Sequence, residues 1–180
     1  MNKKNNIKRL VQAALFLAIA IVFQLIQKNF TQIVPTLIGP LINAILLLTS
    51  FVCGVGFGIL IAILIPLFAV ITGALFTPLI PFVPFIIIAD ILTAAVFGII
   101  SHKGKYGIYI GGVLAALVNY GWFFLASTKL IYIFKLALKP QIIHKIGIVF
   151  GIPQLINSII GAVIAIVIIN ILRKRKISNY

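Results

Sequence analysis

From Leu37 to Phe76 the chain carries no charged residue. A single helix over that stretch would be about 60 Å long at a rise of 1.5 Å per residue. That is about twice the thickness of a bilayer's hydrocarbon core, so the stretch must fold back on itself. Gly54-Val55-Gly56-Phe57-Gly58 is the natural break, because glycine suits tight turns and weakens helix interiors. The break predicts helices over 38–53 and 55–73. Composition supports the same reading along the whole chain. Hydrophobic residues make up 63% and charged residues 9%, against about half and about a quarter in a soluble domain. There is too little polar surface to cover a water-soluble globule. The 180 residues are read as a single membrane domain, 1–180.

The remaining apolar runs complete an all-α integral membrane protein. The first helix is expected over 7–26, after a cationic start. Ala18-Ile19-Ala20 resembles a signal-peptide cleavage site, but the apolar run continues through Ile21-Val22-Phe23, longer than a secretory h-region. Thr77-Pro78-Leu79-Ile80-Pro81-Phe82-Val83-Pro84 carries three prolines and is expected to be a stiff apolar loop. Helices over 85–100, 106–127 and 149–172 follow, with Pro153 suited to a first helical turn. Residues 128–147 mix four lysines with Tyr132 and Phe134. They fit either an interfacial amphipathic segment or an extension of the fifth helix.

Charge sets the orientation. Fifteen Lys and Arg stand against one acid, Asp90, for a net charge of +14. In a soluble chain that balance would point to nucleic acid, but these cations flank apolar runs, so the expected partner is the bilayer and not nucleic acid. Six helices put both ends of the chain on one side. That side holds ten cations (Lys3, Lys4, Lys8, Arg9, Lys103, Lys105 and the four at 173–176). The other holds five (Lys28, Lys129, Lys135, Lys139 and Lys145). The positive-inside rule therefore predicts cytoplasmic termini in a cell membrane.

Catalytic chemistry is not expected. There is no G-x-x-x-x-G-K-[ST] phosphate loop, and His102 and His144, read as loop residues, lack partners at metal-ligand spacing. Ser50, Ser101, Ser127 and Ser158 have one carboxylate in the chain between them, too little for nucleophilic catalysis. No cofactor or metal is expected.

The sharp feature is Asp90, about five residues into the fourth helix and so about 8–9 Å below its outer end. An intramembrane acid is costly and normally faces a cavity or a partner. It is read either as a ligand-binding group or as a packing acid, protonated or paired with an outer lysine such as Lys129. Asn119 lies among Tyr120, Trp122, Phe123 and Phe124, while Gln154 opens the sixth helix with Asn157 and Ser158 one turn on. Each alone is more often interhelical glue than a ligand contact. Together, Asp90, Asn119, Trp122, Gln154 and Asn157 suggest an aromatic-walled pocket with few polar groups, the usual form of a small-molecule site. Trp122 suits an interfacial belt equally well. Small residues four apart (Ala14/Ala18, Gly58/Ala62, Gly107/Gly111/Ala115, Gly161/Ala165) permit close helix approach, mostly for internal packing and in part for a partner subunit.

The chain resembles the S component, the substrate-binding membrane subunit, of energy-coupling factor (ECF) vitamin transporters. The resemblance rests on Ala14-Leu15-Phe16-Leu17-Ala18, which matches the family's helix-one A-x-x-x-A, and on Gly39-Pro40-Leu41-Ile42-Asn43-Ala44. Pro84-Phe85-Ile86-Ile87-Ile88-Ala89-Asp90 and Pro153-Gln154-Leu155-Ile156 leading to Gly161 add to it. It implies a six-helix subunit of a bacterial cell membrane that captures a vitamin or precursor from outside. Docking through Ala14 and Ala18 onto a coupling membrane subunit, driven by two cytosolic ATPases, is implied as well. Two other readings fit the composition: a six-helix cell-shape scaffold that transports nothing, and a stand-alone secondary carrier. A secondary carrier normally shows paired broken helices and more intramembrane ionisable groups.

Overall fold

The computed structural model describes residues 3–29, 35–133 and 140–174. Among them the chain is an all-α bundle: α1 (Lys3–Asn29), α2 (Pro35–Val52), α3 (Val55–Ile71), α4 (Val83–Ile100), α5 (Gly107–Leu125), a short α6 (Pro140–Val149) and α7 (Ile152–Lys174). The spans that include α1, α4, α5 and α7 are long and apolar enough to cross a membrane, and α2 and α3 are shorter apolar helices. Long apolar side chains such as Leu15, Ile99, Val113 and Val163 stand on the outside, as a lipid-facing surface requires.

Placement within the bundle follows from what each helix can bury. Every residue of α2 from Asn43 to Val52 is buried, as expected of a helix apolar on all faces, and α2 packs against α1, α3, α4 and α7. Its two hydroxyls are satisfied locally. Thr49 donates to the Ile45 carbonyl at 2.8 Å and Ser50 to that of Leu46 at 3.0 Å, so neither leaves an unmet donor in an apolar core. Where α7 crosses α2, a Cβ on Gly161 would lie 2.7 Å from Asn43 Cβ and 2.8 Å from the Pro40 carbonyl oxygen. The glycine is what lets the two backbones meet. Gly54, at φ +99°, makes the turn between α2 and α3, at the break the sequence indicates.

α1 is the outlier. It touches α2 and α3, and along it Ala13, Ala20 and Gln24 are buried. Ala14 and Ala18 are exposed. The other small-residue sets, Gly58/Ala62, Gly107/Gly111/Ala115 and Gly161/Ala165, are buried inside the bundle.

Several elements depart from the sequence reading. Polar residues at both ends prolong the first helix from 7–26 to Lys3–Asn29. The proline-rich stretch is a 3₁₀ helix over Thr77–Phe82 rather than a loop. The tighter helix accommodates Pro78 and Pro81, and α4 then starts two residues early with Pro84 in its first turn, where no amide donor is needed. α5 runs on through a π-turn at Ala126–Leu130 and a last turn at Ile131–Ile133, so the fifth helix is extended. His144 lies on the exposed side of α6, not in a loop. Lys135 and Lys139 fall outside the described residues. The final helix begins at Ile152 instead of Val149, because Phe150-Gly151 breaks α6 from α7.

Candidate binding cavity

The antiparallel run of the helices brings the C-terminal ends of α1, α3 and α5 together with the N-terminal ends of α2, α4 and α7. Between them, at the end of the bundle remote from Lys3 and Lys174, lies a cavity of about 170 Å³. Its polar lining comprises Gln24 and Gln27 from α1, Asn43 from α2, Asp90 from α4 and Gln154 from α7. Phe123 and Phe150 form its aromatic wall, stacked with ring centroids 4.5 Å apart. That volume is below the range of about 300–1,000 Å³ usual for drug-sized ligands, so a small ligand fits best.

Asp90 is half-buried in this wall and makes no hydrogen bond or ion pair among the described residues. Lys129, the pairing candidate, is exposed on the π-turn of α5. Lys28 is also engaged elsewhere: its Nζ donates to the Thr72 carbonyl at 2.8 Å, a favourable place for a cation at a helix C-terminus. The carboxylate therefore faces the cavity without a protein counter-ion among those residues.

Asn119 stands behind the cavity rather than in its lining. It is wholly buried and ties three helices together. Its Nδ2 donates to Thr93 Oγ1 at 3.0 Å, and its Oδ1 accepts from Gln154 Nε2 at 2.9 Å and Ser158 Oγ at 2.8 Å. Gln154 thus belongs both to the network and to the cavity. Trp122 is outside the lining too, its ring N–H donating to the Phe85 carbonyl at 2.9 Å. Asn157 packs at the α2–α7 contact, where a Cβ on Gly39 would lie 3.2 Å from its Nδ2. Of the five residues singled out in the sequence, the cavity brings together Asp90 and Gln154.

Gln24, Gln27, Asn43, Phe123 and Phe150 went unnoticed as site residues. Gln24 and Gln27, polar and three apart near the end of an apolar helix, gave a usable signal, since such spacing shares a face. Asn43 sat inside Gly39-Pro40-Leu41-Ile42-Asn43-Ala44. Nothing local distinguishes Phe123 from its aromatic neighbours.

The family model described as "ECF transporter, substrate-specific component" matches residues 8–173. The chain belongs to this family. No curated protein and no solved structure matches it. As an ECF substrate-specific component the chain is a substrate-binding subunit of a membrane transporter, in a family of transport components rather than enzymes.

Proposed function

We propose that this S component captures a vitamin or related small micronutrient from the extracellular side, in the cavity lined by Asp90 and Gln154. Both termini lie in the cytoplasm in this reading, and the work of ATP hydrolysis falls to two cytosolic ATPase subunits acting through a coupling membrane subunit. The observation that carries the reading is an intramembrane carboxylate, without a partner among the described residues, at a cavity where four helices contribute polar side chains. An acid at that depth costs free energy unless something compensates it, and a bound ligand is what this cavity offers. Asn119 serves as the strut that holds Gln154 at the wall, with Trp122 fixing the start of α4. Asn157 sets the α2–α7 spacing beside the cavity.

The coupling contact is assigned to α1. Ala14 and Ala18 are exposed on a helix that buries few of its own residues, and small residues one turn apart permit a partner helix to approach closely. Gentle extraction of the full chain followed by mass spectrometry of retained small molecules tests the capture reading. A stoichiometric low-mass compound, lost in Gln154→Ala, is expected. A chain that emerges empty from membranes of cells supplied with vitamins contradicts it.

A further inference from the structure

The hydrogen-bond polarity of the cavity wall narrows the ligand class, on the premise that the cavity is the capture site. Thr93 spends its hydroxyl proton on the Ala89 carbonyl at 2.7 Å. Its oxygen must then accept from Asn119 Nδ2, which turns Asn119 Oδ1 towards Gln154 and Ser158. Gln154 answers with its amide nitrogen, leaving its carbonyl oxygen with no hydrogen bond among the described residues. A second amide is fixed the same way. Gln24 is 3% exposed and donates its Nε2 to the Ile65 carbonyl at 2.9 Å, while its Oε1 is buried with no partner. A buried acceptor left unmet is costly, and carbonyl oxygens accept only.

The wall therefore presents the Asp90 carboxylate and the oriented carbonyl oxygen of Gln154, both acceptors, while the unmet Gln24 oxygen lies buried behind it. Gln27 and Asn43 add amides that no hydrogen bond among the described residues orients, and among those residues no Lys, Arg or His lines the cavity. Among the described lining residues an anionic ligand would meet a carboxylate and no counter-charge. We propose that this cavity binds a compact organic cation bearing N–H donors, its charge set against Asp90 and an N–H group donating to Gln154 Oε1.

Benzamidine, benzamide and benzoate share one size and shape and differ in charge, so they report polarity alone. Isothermal titration of the detergent-solubilised full chain is expected to show benzamidine binding at least about tenfold tighter than benzamide, with benzoate weakest, as a charge-assisted hydrogen bond implies. Asp90→Asn should bring benzamidine to within about twofold of benzamide, and Asp90→Glu, which keeps the charge, should preserve the preference. Benzamide or benzoate binding as tightly as benzamidine overturns the proposal and leaves the cavity as a binding site. A preference that survives Asp90→Asn overturns it as well. Failure of all three probes to bind at millimolar concentration also counts against it, while the retained-molecule experiment decides the capture reading separately.

Discussion

Asp90 and Asn119 are both polar groups inside an apolar bundle, yet their surroundings give opposite accounts. Asn119 has its amide nitrogen and oxygen met by three side chains, whereas Asp90 has no partner among the described residues. Substitution should therefore affect stability differently at the two positions. Asn119→Ala strands Gln154, Ser158 and Thr93, and is expected to destabilise the solubilised protein by about 1–3 kcal/mol. Asp90→Asn removes an uncompensated carboxylate and should leave the unfolding temperature unchanged or raise it, while weakening ligand retention. Thermal unfolding of the two variants checks this, and a drop in both would make Asp90 a structural group. The sequence alone left these two residues alike, because depth in a helix says nothing about which neighbours arrive from other helices.

At the scale of the helix, the contrast lies between α1 and the others. Four sets of small residues at one-turn spacing are alike as text, but Gly58, Gly111 and Gly161 are buried and Ala14 and Ala18 are exposed. If that exposed face meets the coupling subunit, Ala14→Leu/Ala18→Leu should abolish uptake in the assembled transporter while the isolated subunit binds its ligand unchanged. Equal loss of binding and uptake would mean that the pair supports the subunit's own packing. The helices themselves were legible because charge-free runs longer than a bilayer must break, and Gly54 marks the break. The 3₁₀ helix at Thr77–Phe82 was not, since three prolines exclude an α-helix without excluding a tighter one. Nor was the π-turn at Ala126–Leu130, which depends on packing rather than on local propensity.

Across the whole molecule, the cavity sits at one end and the basic termini at the other. The lining comes from residues as distant as Gln24 and Gln154, so its membership depends on how six helices pack. Asp90 and Gln154, singled out in the sequence, share the lining of this cavity, because a residue's depth follows from its place in the helix. The sequence could not supply Phe123 or Phe150, whose facing depends on neighbouring helices. The central claim is that this end opens outward and takes the substrate there. Thiol labelling of intact cells with a membrane-impermeant reagent tests it most directly, using Ala74→Cys at the cavity wall and Ser178→Cys near the C-terminus, each with Cys53 replaced. The account predicts that Ala74→Cys is labelled from outside and protected by the retained ligand, and that Ser178→Cys reacts only after lysis. Labelling of Ser178→Cys in intact cells, with Ala74→Cys silent until lysis, would contradict it.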